Sequence, residues 1–280
     1  MSINLTSAMT SNYILYNLNK STDNYNKSMD RLTSGSKITQ VSDDPIGVSK
    51  VAKLSVQISA NSVQKGNIAQ GQDLLSLAEG NQDLVVSNLQ RIRDLTMQAA
   101  SGTYDSLDKD AMLQEINARL TQINTIANTT QFNTINLLDG SASNLTIQMG
   151  ASSTAALNVG SALIDVHTAA LGVDIGAVTG ATWTQANAQS YLSTLDTALN
   201  TMTVADSKLG GFMNRLDSAS STLTSVADSM TSNRSIISDC DVAAESADIV
   251  RYQIIQQASA SILTQANQVP SWALNLLKSS

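Results

Sequence analysis

Apolar residues recur along this chain at steps of three and four, most regularly between Tyr191 and Ser238. Leu192, Leu195, Leu199, Met202, Ala205, Leu209, Phe212, Leu216, Ala219, Leu223, Val226 and Met230 keep that rhythm, slipping once between Met202 and Ala205. It is the heptad spacing of a coiled-coil seam. No proline interrupts it. At about 1.5 Å per residue the helix predicted here is roughly 70 Å long. A rod with one apolar stripe cannot bury that stripe alone, so it must lie along other helices, from this chain or from neighbouring copies.

The remaining pattern predicts those helices. Residues 1–34 read as a weakly amphipathic helix with Ile14, Leu18, Tyr25, Met29 and Leu32 on one stripe, stopped by Gly35. After a loop at 36–44, Ser42-Asp43-Asp44-Pro45 is a helix start, a capping aspartate followed by proline in the first turn. The helix it opens extends to about Ser101. Val51, Leu54, Ile58, Ile68 and Leu75 share a face that Asn61, Lys65 and Gln72 interrupt, and Val85, Leu89, Ile92, Leu95 and Ala99 follow in better order. A third helix, about 105–129, places Leu113, Ile116, Leu120, Ile123 and Ala127 on one side.

Leu137-Leu138-Asp139-Gly140 is a turn, and Leu145, Ile147 and Met149 alternate with polar neighbours as in a short strand. Residues 150–187, rich in Gly, Ala, Ser and Thr without a sustained period, are expected to form a β-hairpin and a loop tip. Ser238-Asp239-Cys240-Asp241 opens a last helix, about 241–277, carrying Ile249, Ile255, Ala258, Ile262, Leu274 and Leu277. Pro270 predicts a kink or break inside it. The expected fold is mainly α, a long coiled-coil helical hairpin with a small β-hairpin and loop insertion in the middle.

Composition sharpens this picture. Aromatic residues make up 4% and prolines number two, which suits slender helices packed side by side rather than a thick core. The net charge of −7 argues against general nucleic-acid binding, which needs clustered Lys and Arg. Residues 1–65 hold seven Lys/Arg against four Asp, whereas residues 139–207 hold five Asp and no base. Cys240 is the single cysteine, so two-thiol zinc sites and internal disulfides are excluded. The start, Met1 to Thr6, lacks a basic segment followed by an apolar run, so no cleavable secretory signal is expected. No apolar stretch is long enough to span a membrane. Both terminal segments are too polar for a firm core of their own. Their natural partners are each other and the same segments in neighbouring copies, and head-to-tail contacts that do not close give an open helical polymer.

Several stretches together resemble bacterial flagellin. They are Asp30-Arg31-Leu32-Thr33-Ser34-Gly35, Ser42-Asp43-Asp44-Pro45-Ile46-Gly47, the run Asn88 to Ala100, Thr130-Gln131-Phe132-Asn133, the run Leu145 to Ala151, Gly210 through Arg215, and the run Ile262 to Pro270. In the family's order they span about 1–151 and 190–277. The resemblance implies that 1–44 and 241–280 form the inner tube of a filament through residues such as Leu18, Leu32, Ile255, Ile262, Leu274 and Leu277. It implies a surrounding helical shell from 45–150 and 190–240, and a short outer segment at 151–189. It further implies an extracellular flagellar location by type III export, an export chaperone holding about 240–280, and filament cap and junction proteins as partners. Trp272 departs from the small or polar residue usual at its place, Asp94 and Thr96 stand where Glu and Ala are common, and Ser279-Ser280 extend past the usual end. A hook-filament junction protein and a secreted monomeric coiled-coil module that binds a receptor are the alternatives.

Candidate sites are few. Arg91, Leu95 and Glu115 match the positions through which many flagellins contact a vertebrate Toll-like receptor; Arg91 and Leu95, four apart, share a helix face. Filament packing or a solvated charged face is the plainer reading of the same residues. His167, the single histidine, lies beside Asp165 and Thr168, which make no ligand set, and no His-Glu-x-x-His pair exists. Asp239, Asp241, Glu245 and Asp248 complement a helix dipole without needing a metal. Asn144-Leu145-Thr146 is a formal N-glycosylation pattern, and the Ser/Thr-rich stretch 179–194 offers hydroxyls for O-linked sugars. No nucleophile-base pair or phosphate-cradling loop is present, so neither enzyme activity nor a cofactor is expected.

Overall fold

The computed structural model describes residues 2–150, 155–176 and 178–278, with side chains over residues 9–268 of that range. In order the elements are α1 (Ser2–Ser34), α2 (Pro45–Ala99), α3 (Ser106–Thr129), β1 (Gln131–Phe132), β2 (Ile135–Asn136), β3 (Thr146–Gln148), β4 (Ala156–Asn158), α4 (Gln185–Ser238) and α5 (Val242–Lys278). The chain divides into two compact units, one of residues 1–58 and 228–280, the other of residues 59–227. Helices α2 and α4 contribute residues to both.

In the first unit, α1 and α5 pair antiparallel. Ser21 donates to the Tyr252 carbonyl at 3.1 Å, Gln253 to the Tyr25 hydroxyl at 3.4 Å, and Arg31 to Glu245 at 3.3 Å. The α1 seam is Ile14, Leu18, Ser21, Tyr25, Ser28 and Leu32, and the α5 seam is Ile249, Tyr252, Gln256, Ser259, Leu263 and Ala266. Both run in alternating steps of three and four, so the sides facing each other keep a heptad even where serine replaces an aliphatic residue. Met29, expected on the α1 stripe, lies outside it and is exposed.

Gly35 adopts φ +66°, the left-handed conformation that ends helices cheaply, and closes α1. Directly after it, Lys37 N–H donates to the Ser238 carbonyl at 2.6 Å and Cys240 N–H to the Gly35 carbonyl at 3.0 Å, joining the two turns. Asp44 caps α2 by accepting from Gly47 N–H at 2.8 Å, and Asp241 caps α5 by accepting from Ala243 and Ala244 at 2.9 and 3.2 Å. The break expected at Pro270 is absent, since α5 continues to Lys278. A proline removes one backbone donor, and the turns on either side keep theirs.

In the second unit the α2 seam is Asn61, Gln64, Ile68, Gly71, Leu75, Ala78, Gln82, Val85, Leu89, Ile92, Thr96 and Ala99, all buried. Asn61 therefore belongs to the seam it was expected to interrupt, while Lys65 and Gln72 sit beside it. Leu113, Ile116, Leu120, Ile123 and Ala127 of α3 are buried against the same core, and Asp105 caps that helix by accepting from Asp108 N–H at 2.9 Å. From α4 come Leu195, Met202, Ala205, Leu209 and Leu216.

Strands β1 and β2 form a hairpin that the sequence did not announce, turned by Asn133 at φ +46° and Thr134 at φ +69°. Strands β3 and β4 pair antiparallel with Ile147 opposite Leu157. The stretch expected as a loop tip is woven into the interior instead. Leu157, Val159, Ala162, Leu163, Val166 and Val173 are buried in the core shared by α2, α3 and α4. Irregular backbone survives there because side chains satisfy it: Thr168 N–H donates to Asn124 at 2.9 Å, and Gln82 donates to the Ala162 carbonyl at 3.3 Å. Trp183 packs edge-on to Tyr191 at 5.6 Å, beside Ala99, Leu113 and Ala188.

Candidate self-assembly surfaces

The α1–α5 seam uses only one side of each helix. On the other side of α1, Met9, Tyr13 and Tyr16 are exposed, spaced four and three apart on one face. On α5, Val250, Ile254, Ala258 and Ile262 form an exposed row at steps of four. Exposed apolar side chains arranged in rows are characteristic of an interaction surface. Of the residues expected to pack a filament core, Leu18 and Leu32 are half-buried in the intramolecular seam, whereas Ile255 and Ile262 point outward. Leu274 and Leu277 lie outside the described side chains.

Charge separates the units as well. Residues 1–58 and 228–280 carry nine Lys/Arg and nine Asp/Glu; residues 59–227 carry seven and fourteen. The whole excess of −7 therefore sits in the second unit, and the unit with the exposed apolar rows is neutral.

In the second unit, Arg91 grips Glu115 in a fork, Nε to Oε1 at 2.9 Å and Nη2 to Oε2 at 3.2 Å. Arg119 approaches the same carboxylate at 3.7 Å and donates to Asn88 at 3.2 Å. The Arg91 hydrogen bond, with the charges of Arg91 and Arg119 behind it, holds the Glu115 carboxyl below the usual range. Leu95 does not share this surface. It is 4% exposed and packs in the core, on the same side of α2 as the buried Leu74 and Asn88, twenty-one and seven residues before it. The accessible neighbours of Arg91 are Asp94, Met97 and Gln98, which with it line an open cleft of 340 Å³.

His167 accepts or donates between Asp165 at 2.6 Å and Asn128 at 3.2 Å and ties its loop to α3. Among the described residues no group of three His, Cys, Asp or Glu is placed to hold a metal. The half-buried Cys240 thiol is pushed up by burial and by Glu245. No described helix is long and apolar enough to cross a membrane.

Two family models match this chain, the bacterial flagellin N-terminal helical region over residues 5–143 and the bacterial flagellin C-terminal helical region over residues 192–277. Flagellin of Halalkalibacterium halodurans is 34% identical over 255 residues, covering 90% of this chain and 91% of that one. The chain belongs to the bacterial flagellin family. Flagellin of Bacillus subtilis is 31% identical, covering 90% of this chain and 92% of its own. The flagellar filament 30.7 kDa core protein of Treponema maltophilum is 29% identical over 96% of this chain and 98% of its own. A solved structure of a putative flagellar hook-associated protein from Vibrio parahaemolyticus shares the fold, with TM-score 0.54 and 22% identity over 70% of this chain and 99% of that one. As a flagellin-family chain this protein is a structural filament subunit and not an enzyme.

Sequence reasoning missed Ser21, Ser28 and Ser259 as seam residues, and the signal for them is spacing alone, each falling where the heptad calls for a buried side chain. It also missed Val250 and Ile254, which complete an exposed row with Ala258 and Ile262, and their signal is apolar residues at steps of four on the side away from that heptad.

Proposed function

We propose that this flagellin-family subunit builds its filament through the α1–α5 pair, whose outward apolar rows nest against the same pair in identical neighbours to form an inner tube. The helices of 45–150 and 190–240 then form the surrounding shell. The observation that carries the reading is the pairing of one satisfied heptad seam with a second, uncovered apolar row on each terminal helix. Because residues 155–176 are largely spent on the interior, little of the middle segment is left to decorate the outside. Electron microscopy of the purified chain given preformed seeds tests this reading. Filaments are expected, and persistent monomers at every salt concentration would favour the receptor-binding monomer instead. Deleting residues 1–40 is expected to leave the 59–227 unit folded and to abolish polymerisation.

The same reading places the protein outside the cell after type III export, with an export chaperone on about 240–280 and cap and junction proteins at the filament ends. Contact with a Toll-like receptor would use the Arg91–Glu115 fork with Met97 as its apolar neighbour, in place of the buried Leu95. In a receptor-reporter assay, Arg91→Ala and Met97→Ala are expected to weaken signalling; an unchanged response to both would end that assignment.

A further inference from the structure

Two small patches in the neutral unit are complementary to each other. On the outer face of α2, Ile46, Lys50, Lys53 and Val56 follow at steps of four, three and three, so they share one side of the helix. Ile46 and Val56 are each 69% exposed, and both lysines are exposed and reach no carboxylate among the described residues. At the α4–α5 turn, Ile236 is 76% and Val242 59% exposed, flanking the exposed Asp239 and Asp241. One patch is two aliphatics around two cations; the other is two aliphatics around two anions.

We propose that the α4–α5 turn of one copy docks on the α2 face of the next, Ile236 and Val242 covering Ile46 and Val56 while Asp239 and Asp241 meet Lys50 and Lys53. This rests on the filament reading above and names one of its contacts. A second copy is the fitting occupant for three reasons. The signs match between patches and not within either one. The unit carrying both is neutral overall, so copies approach here without the repulsion that the −7 of the other unit imposes. The patches are also different surfaces, which makes the contact heterologous and lets it propagate instead of closing into a dimer. Rim charges of this kind set orientation and rate of association and fade with salt.

The test is seeded elongation of the full chain at low salt, followed by light scattering and electron microscopy. The variants are Lys50→Glu with Lys53→Glu, and separately Asp239→Lys, each first shown by circular dichroism and tryptophan emission to fold. Each alone is expected to elongate about tenfold more slowly than the unaltered chain. Mixed in equal amounts they are expected to recover in part, because the turn of one, now with a cation beside Asp241, then meets the acidic helix face of the other. Ile236→Ser, which leaves every charge in place, is expected to slow elongation at high salt as well. If the charge variants elongate like the unaltered chain, or if the mixture stays as slow as its components, the patches do not meet. If the unaltered chain itself never elongates, the filament reading fails first, and this contact with it.

Discussion

Arg31 and Glu245 hold the base of the α1–α5 pair through a single contact, Nη1 to Oε1 at 3.3 Å, while Arg31 Nε and Glu245 Oε2 are buried with no hydrogen-bond partner. The guanidinium thus satisfies half of what a fork could. Truncating it leaves a carboxylate with little access to water and no cation beside it. Arg31→Ala is expected to loosen α1 from α5 at a cost of about 1.5–3 kcal/mol. Limited proteolysis would read this as faster cleavage within residues 2–34, and unchanged digestion would show that the contact contributes nothing.

Two glycines separate propensity from packing. Gly66 lies inside α2 with nothing near the place a Cβ would take, so Gly66→Ala is expected to stabilise the fold by about 0.5–1 kcal/mol. Gly160 sits against the backbone carbonyls of Ala142 and Ser143, which cannot move aside as a side chain can. Gly160→Ala is expected to cost about 1–3 kcal/mol. Urea unfolding of the two variants checks both signs, and a neutral Gly160→Ala would mean that the 159–176 loop is less tightly held than its buried residues imply.

Asp206 on α4 is disfavoured as an anion. Burial raises its carboxyl above the ordinary aspartate value of 3.8, and the charges of Asp83 and Glu79 on α2 add to that; its Oδ1 is buried without a partner. A carboxyl that is harder to ionise in the folded chain than in the unfolded one destabilises the fold at neutral pH. The penalty disappears as pH falls towards 3.8, where both states become protonated. Asp206→Asn is therefore expected to melt higher than the unaltered chain at pH 7, with the gap narrowing on acidification. A gap that stays constant with pH would trace the effect to something other than charge.

The α4 seam was legible because aliphatic residues occupy nearly every heptad place from Leu195 to Leu223. The α2 seam was only partly so, since Asn61, Gln64, Gln82 and Thr96 fill buried places with side chains that read as solvent-facing. Gln82 is 0% exposed, and its reason lies far along the chain, in the Ala162 carbonyl it donates to. Residues 155–176 were illegible for the same cause. Their burial follows from tertiary contacts with α2 and α3, and single residues such as Val166 and Val173 leave no period behind. Leu95 carried two readings, one in the apolar series with Ile92 and Ala99 and one beside Arg91 on an accessible face; the first describes its place, because the edge of the core falls between Leu95 and Arg91. The terminal helices were legible from weak apolar stripes bounded by Gly35 and by the Asp239–Asp241 start, and the family motifs added what those helices are expected to build.

Hydrogen exchange on unassembled subunits, compared residue by residue with assembled filaments, tests the central claim most directly. With one heptad seam rich in serine and one apolar row uncovered, α1 and α5 are expected to exchange much faster in the free chain than α2 to α4 within residues 59–227, and to become protected on assembly. Equal protection of both terminal helices before and after assembly would contradict the claim that they are completed by their neighbours.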